Sequence, residues 1–571
     1  MRARNQTVLG LCSFTHDSAA ALLAGGRLVG FVEEERLTGV KHTRDYPHLA
    51  IDWLLDQAGI STADVDTVAY NFAGRRHLAA LTGIPRHLAQ PATCTRALPR
   101  AASFTKVYRR YRTRMELLQE HFHRAQIRPI VHHRAHGLYA FAASGYEHAA
   151  VLVVDSLGET ATTTVAIGHR GDTRLSYRTL HTLNDPASLG YAYGAVTEHL
   201  GWRRGDEEGT VMALAALGDP GRFRRLFARG IRLTETGFTL DPRLFALRVP
   251  SRRYPRLRPQ FIASTCPPRD PLAQVEPVHA DLAAALQERT EQVMLHLARQ
   301  AQQVTGARRL CLGGGVAMNC VSVGTIAAAG LFDEVFVPPA PGDSGTAIGA
   351  ALAAHDDLGL PMPEGLVGEC YLGPAYSDLH LDRHPRPGLT ACRVRDAAWC
   401  VAEELAAGQI VGCFRGALEA GPRALGHRSI LASPLQPDVV ERLNATVKFR
   451  EPFRPFAPVT LADQAHTYFT LGQPSPFMAI ASGVTDRARA EIPATVHANG
   501  TARVQTVTAA SEPFLAEVLA AFEDLTGTPV LINTSLNVKG QPICGTPDMA
   551  LDCLTGSGLD ALLLEDWWVT K

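Results

Sequence analysis

AAVLVVDSLGETATTTVAIGHRGDTRLSYRTL, residues 149–180, decides how the first two-thirds of the chain folds. An apolar run closes on Asp155. TTTVAIGHRG (162–171) and TRLSYRTL (173–180) then supply two more strand-like segments separated by turn residues. The same triplet occurs near the start of the chain. TVLGLCS (7–13), SAAALLAGG (18–26) and GRLVGFVEEE (26–35) read as three strands, with a tight turn at Gly25-Gly26. Apolar spacing predicts a helix over 47–58, and VDTVAYNF (65–72) reads as a further strand. A β-β-β-α-β unit that recurs is an internal repeat.

Working outward, helical spacing over 281–304 leads into RRLCLGGGVAMN (308–319), a strand, a Gly-rich turn and a helix. EVFVPPAPGDSGTAIGAALAA (334–354) repeats that logic. Proline and glycine crowd residues 357–366, which suits a linker, and the remainder is long enough for its own domain. The expected division is 1–362 and 363–571. Two stretches break the repeat. Residues 73–125 are rich in arginine, and residues 219–278 carry many Pro and Arg with little periodicity. The ordinary expectation for the first is a solvated helical face with its arginines outward. The functional one is a wall or lid over a substrate pocket.

The chain's 571 residues suit two or three domains, and its 56 basic and 56 acidic side chains cancel. A neutral total argues against a nucleic-acid binder that works by broad phosphate neutralisation. No stretch of about 20 apolar residues predicts a membrane span, and the segment MRARNQTVLGLCSF is too short in apolar residues for a signal peptide. The 11 cysteines include no CxxC pair, and several sit in apolar runs. Reduced, buried thiols and a cytoplasmic setting are expected.

Three constellations carry chemistry. His132 and His136 stand four apart at the start of a predicted helix, so both imidazoles share one face. Two imidazoles make a frame for a first-row divalent cation, but not a whole site. Asp155 at a strand end and Asp343 in the turn PPAPGDSG lie where ligands meet α/β scaffolds. The run Gly313-Gly314-Gly315 before Asn319, and a similar turn at 342–346, let backbone N–H groups approach phosphate. GPRALGHRS (421–429), VKFR (447–450), FRPFAP (453–458), Arg503 and NTSLN (533–537) bring arginines, a lysine and amides near turns. Guanidinium groups suit phosphate, although a structural ion-pair network is an equal reading of these residues alone.

Together these strings resemble the carbamoyltransferase family that includes the nodulation-factor, cephamycin and nebramycin carbamoyltransferases. The matching segments also include HDSAA (16–20), EEERLTGVKH (33–42), HHRAH (132–136), VVDSLGE (153–159), EEGTVMALAALG (207–218) and PPAPGDSGTAIGAA (338–351), collinear from about residue 10 to about residue 540. The resemblance implies an α/β chain. Its N-terminal domain would be a duplicated actin-like, sugar-kinase-like fold resembling the tRNA threonylcarbamoyl-transfer ATPase. Its C-terminal domain would be an α+β fold resembling the threonylcarbamoyl-adenylate synthase. It implies ATP and carbamoyl phosphate as co-substrates, Mg(II) accompanying ATP, and a divalent metal, iron in the Fe(II) state, in the first domain. The implied metal ligands are His132, His136, Asp155 and Asp343, with Gly313, Gly314, Gly315 and Asn319 toward nucleotide. Carbamoyl phosphate and ATP handling in the second domain falls to Arg423, Lys448, Arg454, Arg503, Asn533 and Ser535.

His16 matches the position implied to activate the acceptor, and a neutral imidazole beside an alcohol suits a general base. The expected partner is a small-molecule alcohol, an antibiotic or other secondary metabolite, with no nucleic acid and no membrane; a homodimer is left open. The alternatives are a tRNA threonylcarbamoyl-transfer enzyme and a sugar-kinase-like phosphotransferase. The sequence departs from the family at Thr210, where a lysine often precedes the apolar string, and in the 73–125 insertion.

Overall fold

The computed structural model describes residues 6–251, 253–377, 379–382 and 386–571. The first five residues of the N-terminal segment lie outside it. The chain divides into two compact units. The first holds residues 1–31, 44–47 and 51–369. The second holds 32–43, 48–50 and 370–571.

Unit 1 contains two five-stranded sheets built to one plan. Strands β1 (Val8–Cys12), β2 (Ala19–Ala24), β3 (Arg27–Glu33), β4 (Thr67–Tyr70) and β5 (Gln126–Pro129) lie in the order 3-2-1-4-5. The first three form an antiparallel meander, while β4 runs parallel to both β1 and β5. The second sheet uses β6 (His148–Val154), β7 (Ala161–Arg170) and β8 (Leu175–Asn184). After a small hairpin of β9 (Ile231–Thr234) and β10 (Gly237–Leu240), it adds β11 (Arg309–Gly313) and β12 (Glu334–Phe336). Its order, 8-7-6-11-12, is the same topology, again with parallel pairs beyond the meander. This is the duplicated actin-like architecture. β1 is buried throughout and β6 from Ala149 onward, as expected of a central strand covered on both faces.

Helices join the repeats. The helix Thr346–Asp357 packs on both β1 and the helix His132–Ser144. Its backbone approaches so closely that a Cβ at Gly349 would sit 1.9 Å from the Ala135 carbonyl oxygen. Only glycine fits there.

The insertions differ from the solvated-face expectation. Residues 94–121 form one long helix whose Arg96 and Arg100 are buried, while Arg109, Arg110 and Arg112 are exposed. The Arg100 guanidinium lies 2.6 Å from Asp185, and Arg248 of the second insertion lies 2.8 Å from the same carboxylate. Arg100 also donates to the Arg248 carbonyl, and Ser103 to that of Pro250. Helical periodicity gives the faces of a helix, but it cannot show that a second insertion will cover one of them.

Unit 2 is organised on an eight-stranded mixed sheet. Its strands are β13 (Thr390–Arg393), β14 (Val411–Phe414), β15 (Arg428–Ala432), β16 (Ala457–Leu461), β19 (Gln505–Val507), β20 (Val530–Ser535), β21 (Ala561–Leu564) and β22 (Trp567–Thr570), in the order 13-22-21-14-15-20-16-19. A separate pair, β17 (Ala481–Gly483) and β18 (Thr501–Arg503), stands beside it. The helices Ala397–Ala406 and Pro513–Thr526 cover one set of sheet side chains with Val401, Leu405, Leu519 and Phe522. The other set packs with Leu443, Val447, Leu551 and Leu554. No disulfide joins the described cysteines, and no described helix is long and apolar enough to cross a membrane.

Candidate functional site

The histidine pair of unit 1 rests on the first turn of the helix His132–Ser144. The helix starts where β5 ends, and the Glu159 carboxylate accepts the His132 backbone N–H at 3.1 Å and that of Ala73 at 2.7 Å. A carboxylate at a helix N-terminus satisfies an orphan donor and complements the dipole. Phe72 stacks on the His132 ring, with centroids 4.2 Å apart. The His132 Nδ1 faces the Asn71 carbonyl at 3.2 Å. That contact assigns the Nδ1 proton, so the neutral ring presents a lone pair at Nε2.

Both Nε2 atoms then point to one spot. His132 and His136 Nε2 are 3.1 Å apart. Asp343 Oδ1 lies 3.4 Å from the first and 3.6 Å from the second, and Asp155 Oδ2 lies 3.8 Å from His132 Nε2. All four side chains are buried, with their ligand atoms within 4.8 Å of one another. Donors about 2.1 Å from a common ion stand about 3.0 Å apart at right angles and about 3.4 Å apart at tetrahedral angles. The observed spacings are compatible with that set, and the four side chains could hold a divalent cation.

The electrostatics point the same way. Burial would lower His132, yet the Asp343 charge and hydrogen bond, with Asp155 and Glu159, raise it to about 9. Burial would raise Asp343, yet the two imidazoles hold it well below the usual carboxylate range. His133 turns away, with Nδ1 3.2 Å from Thr164 Oγ1, and burial pushes it down to about 3.

The glycines lie against this cluster. Gly314 has φ of 88°, and a Cβ there would meet the Val154 carbonyl oxygen at 2.4 Å. The Gly315 N–H donates to Asp155 Oδ1 at 3.1 Å. Gly313 ends β11, and Asn319 caps the helix Cys320–Ala328 while exchanging hydrogen bonds with Gln287. The Thr210 hydroxyl is buried without a hydrogen-bond partner among the described residues.

His16 lies in the turn between β1 and β2. Its Nδ1 is 3.0 Å from Asp17 Oδ2, and its side chain is 43% exposed. An Nδ1 proton shared with Asp17 leaves Nε2 as the basic atom, open to a substrate. Burial lowers its pKa, but the Asp17 hydrogen bond and the charges of Asp343, Asp17 and Asp155 raise it to about 9. A cation held by Asp155 and Asp343 would cancel two of those three charges and return His16 toward neutrality.

Unit 2 gathers a second site. Lys448, at the end of the turn Leu443–Lys448, donates to the Ser535 carbonyl oxygen and hydroxyl, and to the Asn537 backbone and side-chain oxygens, with no carboxylate among these partners. Burial, with Arg450 and Arg454 adding to it, lowers its ammonium to about 7. Burial and the neighbouring Arg454 and Arg503 push Arg450 well below its ordinary value. Four basic side chains crowded together are an arrangement that suits an anion. Arg450 closes the string VKFR, but the resemblance does not imply it among the residues that handle carbamoyl phosphate and ATP.

The half-buried Arg423 belongs to the loop 421–428. Three backbone N–H groups of that loop, from Leu425, His427 and Arg428, donate to Glu419 Oε1 at 2.9 Å. Gly421 donates to Glu33 and accepts from Arg36. Asn533, wholly buried, ties the loop to β19 through the Ala424 carbonyl and Gln505. Arg428 is structural. It donates to four backbone carbonyls and lies over the Phe414 ring. Glu33, Arg36, Asn71 and Glu159 build the sites through backbone contacts remote in sequence, and Glu419 through backbone N–H groups six to nine residues on; none of these patterns stands out in the sequence.

Comparison with known proteins closes the identification. The "Carbamoyltransferase N-terminus" family model matches residues 7–352 and the "Carbamoyltransferase C-terminus" model residues 402–571. Nodulation protein NolNO of Sinorhizobium fredii is 34% identical over 98% of this chain and 79% of its own length. Nodulation protein NolO of Bradyrhizobium diazoefficiens is 36% identical over 77% and 78%. An uncharacterised Synechocystis protein, sll1178, is 34% identical over 99% and 96%. Component A of the Acidaminococcus fermentans (R)-2-hydroxyglutaryl-CoA dehydratase covers 62% of this chain at a TM-score of 0.30 and 14% identity, too loose a likeness to argue from. With both domain models matched in order across nearly the whole chain, this protein is a member of the carbamoyltransferase family.

Proposed function

We propose that the chain is an ATP-dependent O-carbamoyltransferase that forms carbamoyl-adenylate in unit 2 and passes the carbamoyl group to an alcohol in unit 1. The carrying observation is the presence on one chain of a buried His2Asp2 acceptor cluster and a separate Lys/Arg cluster. Lys448, Arg454, Arg503 and Arg423 neutralise the anionic oxygens of carbamoyl phosphate and ATP, with Mg(II) accompanying the triphosphate. Ser535 and Asn533 set the floor and the loop of that site. Phosphate and pyrophosphate both leave, which consumes one water.

In unit 1, His132, His136, Asp155 and Asp343 hold a divalent cation, with Fe(II) as the reading from family resemblance. An ion bound there would supply positive charge that favours departure of a phosphate-bearing leaving group. Gly313, Gly314 and Gly315, with Asn319 behind them, leave room for the nucleotide. His16 Nε2 takes the proton of the acceptor hydroxyl as its oxygen attacks the carbamoyl carbon. Orientation of this kind is worth up to about 7–11 kcal/mol of barrier. The acceptor is a small molecule, an antibiotic or another secondary metabolite, and the free thiols suit a reducing cytoplasm.

The test is mass spectrometry of products from ATP, carbamoyl phosphate and a panel of such alcohols. AMP, pyrophosphate, phosphate and a carbamoylated alcohol are expected. Release of ADP with a phosphorylated alcohol refutes the reading in favour of a phosphotransferase. Arg423→Ala is expected to abolish pyrophosphate release while leaving use of chemically supplied carbamoyl-adenylate intact. Adenylate formation at the wild-type rate in that variant refutes the division of labour.

Lys448 supplies a pH-dependent expectation. Its free-state pKa is about 7, so at pH 8 it is mostly neutral. A bound phosphate favours the ammonium form and returns the pKa toward about 10.4. Binding of carbamoyl phosphate at pH 8 should therefore take up close to one proton, and at pH 6 almost none. Calorimetry in buffers of different ionisation enthalpy measures this. Equal uptake by Lys448→Met would refute the assignment.

A further inference from the structure

The two repeats of unit 1 place functional residues on equivalent turns, each following the central strand of its sheet. The turn after β1 carries His16, and the turn after β6 carries Asp155. Each turn is gripped by an arginine from an insertion. Arg248 of the second insertion donates through Nη2 to the Ser156 carbonyl at 2.7 Å and to Ser188 Oγ at 3.0 Å, and its guanidinium lies over the Tyr191 ring. Arg114, on the long helix of the first insertion, donates through Nη2 to the Phe14 carbonyl at 2.9 Å. Its guanidinium stands 4.9 Å over the Phe14 ring, and Nη1 reaches toward Tyr70 Oη at 3.5 Å. Tyr70 Oη in turn donates to the Ser13 carbonyl at 3.1 Å.

The turn that Arg114 grips has an unfavourable backbone. Phe14 and Asp17, on either side of Thr15-His16, have φ of 63° and 65°. The left-handed region is disfavoured for any non-glycine residue, and a bulky aromatic is a poor occupant of it. Such a conformation persists only where its surroundings over-determine it. A flip of the Phe14–Thr15 peptide, which carries the Phe14 carbonyl, would change ψ of Phe14 and φ of Thr15 and so re-aim His16. Arg114 opposes the flip twice, by binding the carbonyl and by covering the ring.

We propose that Arg114 is a positioning residue for the transfer step, holding the strained Phe14–Asp17 turn so that His16 Nε2 faces the acceptor hydroxyl. The 73–125 insertion is thereby part of the transfer machinery. This rests on the reading in which His16 takes the acceptor's proton. Arg114 itself touches no reacting atom. Lysine in its place could reach the carbonyl but could not also lie flat on the ring.

The test uses the full chain with ATP, carbamoyl phosphate and an accepted alcohol. Arg114→Met keeps the aliphatic length and removes the donors. Pyrophosphate release should be unchanged. The transfer kcat should fall about 10- to 100-fold, the cost of a misplaced catalytic group, with acceptor KM nearly unchanged. AMP should accumulate without carbamoylated product as the adenylate hydrolyses. Arg114→Ala supplemented with guanidinium ion should regain part of the lost kcat at unchanged melting temperature, a response that a merely structural role does not give. An unchanged kcat, a loss confined to acceptor KM, or no guanidinium rescue in a folded Arg114→Ala would overturn the proposal. Should Arg114→Met fail to fold, Arg114→Lys carries the same kcat comparison. His16→Asn run in parallel separates the two ideas. If it transfers normally, the general-base reading fails first. If it is inactive while Arg114→Met is normal, the clamp alone fails.

Discussion

Purified His136→Ala should contain little bound metal and should transfer carbamoyl groups at least about 100-fold more slowly, while still releasing pyrophosphate from ATP. Changes in partners that only orient a metal ligand already cost about 10–100-fold in affinity or activity, so loss of a ligand sets a higher floor. His136 Nε2 is one of four acceptors within 4.8 Å. Removing it leaves His132, Asp155 and Asp343, which together still attract a cation but hold it less tightly. The side chain is almost wholly buried, so some loss of stability accompanies the change. His133→Ala serves as the control. It alters the same helix turn and a similarly buried imidazole, but one aimed at Thr164. The control should keep its metal. Metal content by elemental analysis gives a readout independent of turnover. A His136→Ala protein with full metal and normal transfer would show that the cluster has another purpose.

His16→Asn should lower product formation by about 100- to 10,000-fold, the usual contribution of a general base. Asparagine can still meet Asp17 with a polar group, so the turn has a partner and the fold should survive. Adenylate formation should continue, since the lysine and arginines of unit 2 are untouched. Carbamoyl-adenylate then accumulates or leaks to AMP and carbamate. The sign of the pH dependence follows from the same geometry. Protonated His16 cannot accept a proton, so transfer should rise with pH as the imidazole deprotonates, and that limb should vanish in His16→Asn. Near-normal product formation in the folded variant returns His16 to a turn residue bonded to Asp17. A 100-fold loss corresponds to about 2.7 kcal/mol in the barrier, well beyond the effect of a displaced surface histidine.

The strand triplets were legible because a central strand covered on both faces must be a continuous apolar run, as in 149–154 and 8–12. Their repetition predicted the duplicated sheet, and the strand order 3-2-1-4-5 appears twice. The helix over 47–58 and the one beginning at HHRAH follow from local periodicity and were found close to their expected bounds. Four-residue spacing placed His132 and His136 on one face, since that is a property of any helix.

What no local pattern carries is the set of contacts made between distant segments. The approach of Asp155 and Asp343 to the imidazoles depends on how two repeats and the helix Thr346–Asp357 pack. In sequence they were two carboxylates near turns, matched to the site only by resemblance. The burial of Arg96 and Arg100 against residues 247–248 overrode the solvated face that composition suggests, because Asp185 supplies a counter-charge and the backbone supplies acceptors. Asn71, Glu159, Glu419, Glu33 and Arg36 shape the sites through backbone hydrogen bonds, which select no residue pattern that a reader can search for. Sequence alone determined the repeat, the helical frame of the His132/His136 pair and the family. The aim of each side chain was decided only by tertiary structure, because it is set by packing between segments up to 388 residues apart.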